Sequence, residues 1–189
     1  IGRELIENQI EFDVVPVDVL NNLSMWNGKM ENGKMIINGV TFDALLIPGS
    51  EYAPYELAEF VKNNRHFPVY FVDGAPAVTF KNAAGAEMDE SWLDNGEVID
   101  LYDLAEVLNA KGTTKIHIEP AFSHLSVYHY NKDRQIVMLF NESAEESFQG
   151  TVELPFCGAV AVYDGYADEY LNIAGDGKEE LKEIVRLME

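Results

Sequence analysis

Two short apolar runs constrain this chain more than any other feature. Phe42-Asp43-Ala44-Leu45-Leu46-Ile47-Pro48-Gly49-Ser50 and, after a helix-like segment, Phe67-Pro68-Val69-Tyr70-Phe71-Val72-Asp73-Gly74-Ala75 are rich in β-branched and aromatic residues. Both stop on small or turn-forming residues. Short continuous apolar runs of this kind predict strands buried on both faces, as in a parallel α/β sheet. In such sheets ligands and nucleophiles sit beyond the carboxyl ends of the strands. Neither strand end offers a cysteine, a Gly-x-Ser-x-Gly elbow or a glycine-rich phosphate loop.

The rest of the first half fits such a sheet. Ile1, Leu5, Ile6 and Ile10 recur at helical spacing, and Phe12–Val17 then reads as a strand. A domain that opens on a helix implies a strand upstream of residue 1, because parallel strands are joined by crossovers. The chain begins without Met, and the expectation is a piece of a longer polypeptide. Asn27-Gly28 and Asn32-Gly33 predict tight turns in a hairpin-like excursion over 21–39. A helix is expected over about 54–63 with Leu57, Phe60 and Val61 on one face, and another over 100–109, separated by a loop-like acidic stretch over 81–96.

From Thr113 the period changes to two. Lys115–Ile118, Leu125–Tyr130, Gln135–Phe140, Gln149–Leu154 and Ala159–Tyr163 alternate and are parted by turn clusters, Asn131-Lys132-Asp133 among them. This predicts an antiparallel β unit over 113–177. Residues 178–189 follow as an amphipathic helix with Leu181, Ile184, Val185 and Met188 on one stripe.

Length and charge narrow the function. A chain of 189 residues, 47% hydrophobic, can build one medium domain and one small one. With 33 acidic against 13 basic residues the net charge is -20, which argues against nucleic acid and anionic membranes as partners and favours solubility. No apolar run approaches the roughly 20 residues that span a bilayer. The single cysteine, Cys157, excludes an internal disulfide and a multi-cysteine zinc site, leaves the compartment open and reads as a small buried hydrophobe.

Several side chains could carry chemistry. Asp73 stands where α/β hydrolases place a nucleophile, but no base adjoins it in sequence. His117 and Glu119, at i and i+2 of a strand, share a face and can orient one another, yet they have no nucleophile to serve. His124 and His129 fall on opposite faces, which disfavours a metal site; no metal and no cofactor are expected. Two carboxylates at glycosidase spacing are uninformative among so many acids. Trp26 and Trp92, in turn-rich polar segments, are either sugar-stacking platforms or anchors of long loops.

Phe12-Asp13-Val14-Val15-Pro16 with Asp18, and Phe42–Gly49, resemble the class I glutamine amidotransferase-like module found as an accessory domain in large bacterial glycoside hydrolases. These include β-galactosidase, family 2-like and α-L-rhamnosidase-like enzymes. Ile136-Val137-Met138-Leu139-Phe140-Asn141-Glu142-Ser143, Gly150–Pro155 and Val162-Tyr163-Asp164-Gly165 are similar to the β-sandwich element that follows it. The resemblance implies an α/β fold, a flavodoxin-like three-layer domain over 1–112 with a mostly parallel sheet, then the antiparallel unit. Pro48-Gly49-Ser50 resembles the oxyanion turn of that family and His117-Ile118-Glu119 its His-x-Glu. Asp73-Gly74 occupies the place of the nucleophilic cysteine, so glutamine hydrolysis is not expected.

The functional expectation is a non-catalytic accessory fragment of a bacterial glycoside hydrolase. It would serve a structural or homo-oligomer role beside other domains of the same polypeptide, whose catalytic barrel holds the acid and nucleophile. The alternatives are a carbohydrate-binding module that meets an oligosaccharide through Trp26, Ser50, Glu51, Asp73, Gly74 and Trp92, and a small hydrolase using Asp73.

Overall fold

The computed structural model describes residues 1–112, 115–131, 135–156 and 160–171. The chain divides into two compact units. Phe12–Ala110 forms one, and Gly2–Glu11 together with the residues from Lys111 onward forms the other. The chain opens with helix α1 (Gly2–Glu7), which therefore belongs to the second unit and is no crossover of the parallel sheet.

In the first unit, residues 12–16 are irregular and the chain turns into helix α2 (Val17–Asn21). Pro16 explains why the expected strand fails. It lacks a ladder donor, and at φ -62° it occupies the N-cap position, with its carbonyl accepting from Val19 and Leu20. Strands β1 (Gly28–Glu31), β2 (Lys34–Ile37) and β3 (Val40–Phe42) then form an antiparallel meander. Its turns, Asn32-Gly33 and Asn38-Gly39, all have positive φ, the geometry that two-residue hairpins demand.

Strand β4 (Leu45–Pro48) is followed by the short β5 (Tyr52–Ala53), helix α3 (Tyr55–Asn63), β6 (Val69–Val72), the short β7 (Val78–Thr79) and β8 (Glu97–Ile99). β4, β6 and β8 make a three-stranded parallel sheet in that order, and β5 pairs in parallel with β7. Every residue of the central strand β6 is buried, as its unbroken apolar run predicts. The core gathers Leu20, Met35, Ile47, Phe60, Val61, Phe71 and Trp92. Phe71 meets Trp92 edge to face at 5.5 Å, and Phe60 meets Phe67 likewise at 6.3 Å. A 3-10 helix over Glu90–Asn95 carries Trp92, and a 3-10 turn leads into helix α4 (Leu104–Ala110).

The flavodoxin-like expectation is overturned. Among the described residues the protein is mixed but strand-rich, with 31% strand against 25% helix, many small antiparallel sheets, and parallel pairing confined to one three-stranded sheet and the two-residue β5–β7 pair. The reason lies in how the residues are spent: 28–42 go into hairpins rather than a parallel strand. The β6 to β8 connection runs through β7 and a 3-10 helix, so β4 to β6 has an α-helical crossover and β6 to β8 does not. Two full helical layers do not form on this sheet.

The second unit contains three two-stranded antiparallel sheets among the described residues. β9 (His117–Glu119) pairs with β12 (Thr151–Glu153), β10 (Leu125–Asn131) with β11 (Gln135–Asn141), and β13 (Val162–Asp164) with β14 (Glu169–Leu171). Ile116, Leu125, Phe148 and Val152 form its core, with Phe122 tilted on Phe148 at 5.6 Å. The α1 segment is tied in by polar groups. The Gln9 amide donates to the carbonyls of Phe122 (3.2 Å) and Leu125 (3.1 Å), and Glu11 accepts from the His129 N–H at 2.6 Å. The expected helix over 178–189, Cys157 and the turn residues Lys132 and Asp133 lie outside the described residues.

Candidate functional site

The place to look for chemistry in the first unit is the crest formed by the carboxyl ends of β4, β6 and β8. Pro48 and Val72 are register partners, so Gly49 and Asp73 emerge side by side. The Gly49 N–H donates to the Val72 carbonyl at 2.7 Å. A Cβ on Gly49 would stand 2.9 Å from that carbonyl oxygen and 3.1 Å from the oxygen of Asp73, both backbone atoms with no room to yield. Close approach of two strands is what requires glycine here.

Asp73 follows in the left-handed region at φ 63°, with Gly74 after it at φ 127°. Its N–H donates to the Ile99 carbonyl at 2.9 Å, extending the β6–β8 ladder by one rung. Its carboxylate Oδ1 accepts from the Leu101 N–H at 2.8 Å. The acid at the nucleophile position thus anchors the chain that leaves β8. Asp100 repeats the device on the next residues, accepting from the Tyr102 N–H at 2.8 Å and capping the 3-10 turn.

On the β4 side, Ser50 closes on itself. Its hydroxyl donates to the Tyr52 carbonyl at 2.8 Å and receives the Tyr52 N–H at 3.3 Å. The Glu51 carbonyl accepts from the N–H groups of Ala77 and Val78, which registers β5 against β7. That pairing brings together two rings that lie far apart in the chain. Tyr52 and Phe80 stack with centroids 5.3 Å apart and planes 5° from parallel, and they are 45% and 54% exposed.

Ser50, Glu51, Asp73 and Gly74 therefore meet at one crest, whereas the two tryptophans do not join them as platforms. Trp92 is buried at 1% exposure, with its indole N–H donating to Thr79 Oγ1 at 3.2 Å. It is a loop anchor. Trp26 is half-exposed on the 3-10 turn Leu23–Trp26, ahead of β1. Tyr52 and Phe80 are the aromatic residues that sequence reasoning missed, because their exposure depends on the pairing of two-residue strands.

The histidines do not assemble a site. His117 and Glu119 are exposed on β9, opposite Glu153 and Thr151. The His124 ring packs edge to face on Phe122 at 5.6 Å, and His129 Nε2 meets Gln135 Oε1 at 2.9 Å. Among the described residues no group of three or more His, Cys, Asp or Glu side chains is placed to hold a metal ion, and no helix is long and apolar enough to cross a membrane. A shallow pocket of about 180 Å³ lies at the opposite end of the parallel strands, between the Asn32-Gly33 turn and Asn64–Phe67. It is smaller than the roughly 300–1,000 Å³ usual for small-molecule sites. No protein-family model, no curated protein and no solved structure matches this chain.

Proposed function

We propose that this chain is a non-catalytic accessory part of a multidomain bacterial glycoside hydrolase, with a structural role beside a catalytic barrel carried elsewhere in the same polypeptide. The observation that carries the reading is the Asp73 carboxylate accepting the Leu101 N–H. A carboxylate at a nucleophile position that instead organises backbone is a structural group. The neighbouring Ser50 supports this, because its hydroxyl is closed into its own turn on Tyr52. The glycosidase context rests on the resemblance of Phe42–Gly49 and of Ile136–Ser143 to such modules. Reading the frame on either side of the chain tests it: an adjoining barrel with paired glutamates is expected, and flanks that encode no barrel overturn it.

A second reading is favoured by the stacked, half-exposed Tyr52–Phe80 pair beside Ser50 and Glu51. Flat apolar rings bordered by polar groups suit the faces of pyranose sugars. If the chain binds an oligosaccharide, titration calorimetry with a glycan panel registers heat that Tyr52→Ala and Phe80→Ala remove and Trp26→Ala leaves in place. A panel without heat leaves the structural role alone.

A further inference from the structure

Four Asn-Gly steps occur in the chain, at Asn27-Gly28, Asn32-Gly33, Asn38-Gly39 and Asn95-Gly96. At such a step the glycine nitrogen can close on the preceding side-chain amide, because no Cβ stands in the way. The fold treats the four differently. Asn95 is held on both sides: its side-chain nitrogen donates to the Val61 carbonyl at 3.3 Å, the Gly96 N–H donates to the Leu93 carbonyl at 3.1 Å, and the Phe71 ring lies against Gly96. Asn27 ends the 3-10 turn, and Gly28 after it is a ladder residue opposite Ile37, with the Leu23 carbonyl oxygen 2.8 Å from where a Cβ would stand. Gly33 has the His66 carbonyl oxygen 2.8 Å from the same position. Gly39 has no atom within 4 Å of it, and both Asn38 and Gly39 are exposed.

We propose that Asn38 is a modification site, where the folded protein converts this asparagine to aspartate and isoaspartate faster than at its other Asn-Gly steps. The Gly39 backbone nitrogen gives its proton to hydroxide and attacks Cγ of Asn38. As the N–Cγ bond forms, the Cγ–Nδ2 bond breaks, and Nδ2 takes a proton from water and leaves as ammonia. Water then opens the succinimide: cleavage at Cγ yields aspartate, and cleavage at the main-chain carbonyl carbon yields isoaspartate. No electrons are exchanged with an outside reagent.

The turn prepares this closure. The ring fixes ψ of the asparagine at about -120°, which with a positive φ is the first central residue of a type II′ turn. Asn38 already has φ 51° and Gly39 has φ 83°, both positive as a type I′ turn requires, between the register partners Ile37 and Val40. Closure therefore needs one peptide flip, from one two-residue hairpin turn to the other, and glycine follows it freely. The flip sweeps the space around Gly39, which is empty. Asn32-Gly33 begins from the same kind of turn, at φ 52° and 73°, but its flip drives Gly33 toward the His66 carbonyl. Isoaspartate adds a methylene to the main chain of a two-residue turn, so the pairing of Met35 with Phe42, Ile36 with Thr41 and Ile37 with Val40 is strained from its closed end.

The test incubates the full chain at mildly alkaline pH and follows each step by peptide mapping in a mass spectrometer. Trypsin separates the four steps into peptides 4–29, 30–34, 35–62 and 82–111. Acid and isoaspartate are expected to accumulate at Asn38 several-fold faster than at Asn27, Asn32 or Asn95, with a rate that rises with hydroxide concentration. In urea, where the fold is gone, the four rates are expected to converge. Equal rates in the folded chain, or a faster rate at any of the other three, overturn the proposal. So does an Asn38 advantage that persists in urea, which assigns it to local sequence rather than to the open turn.

Discussion

The carboxylate of Asp73 accepts a hydrogen bond from the Leu101 N–H at 2.8 Å, across the gap between the ends of β6 and β8. Two neighbouring strands are locked at their crest by a side chain that also tolerates the left-handed backbone its position imposes, φ 63°. Asn shares both abilities and Ala shares neither. Asp73→Ala is therefore expected to lower stability by about 1 to 2 kcal/mol, and Asp73→Asn by much less. Urea unfolding of the two variants checks this. Equal losses would show that the bond contributes nothing.

Gly96 and Phe71 are in contact so close that a Cβ on Gly96 would run into the ring. The ring cannot retreat, since Phe71 is fully buried and edge-packed on Trp92. Gly96→Ala is expected to cost about 1 to 3 kcal/mol, the range for overpacking, and to change the near-ultraviolet circular dichroism of Trp92. Gly165, with no atom within 4 Å of its position, provides the control as Gly165→Ala. A melting temperature unchanged in Gly96→Ala would contradict the packing described.

Asp89 receives Lys62 Nζ at 2.6 Å and the Ser91 N–H at 3.0 Å. The lysine first, and Ser91 after it, hold its carboxyl well below the usual carboxylate range. A depressed folded value means that the ionised form is the favoured one, so its contribution is present above the ordinary aspartate value and fades as pH falls below it. Because the group is open to solvent, the effect on global stability is small. The Asp89 carboxyl carbon followed by NMR is expected to titrate below the other aspartates, and Lys62→Met is expected to move its midpoint upward. A midpoint that does not move would contradict the ion pair.

Much of the local structure was legible. The unbroken apolar runs give β4 and β6, the facing Leu57, Phe60 and Val61 give α3, and Asn32-Gly33 gives the hairpin turn. What escaped was non-local. The stripe of Leu5, Ile6 and Ile10 says that α1 needs cover, but not that Phe122 and Leu125, more than a hundred residues on, supply the groups that tie it down. Glu97–Ile99 is too short to announce a strand. Without β8 the partner of Asp73 is invisible, although Asp73 itself stands out at a strand end. The burial of Trp92 is likewise not written in its polar neighbours. It follows from the edge of Phe71 and the hydroxyl of Thr79.

The most direct test of the central claim, that the crest of the parallel sheet is spent on structure, is a turnover assay. The chain and its Asp73→Asn variant are compared on aryl glycosides, esters, phosphoesters and glutamine. The account predicts rates equal to those without protein for both. Turnover above that background in the unaltered chain, abolished by Asp73→Asn while the fold stays intact, would contradict it.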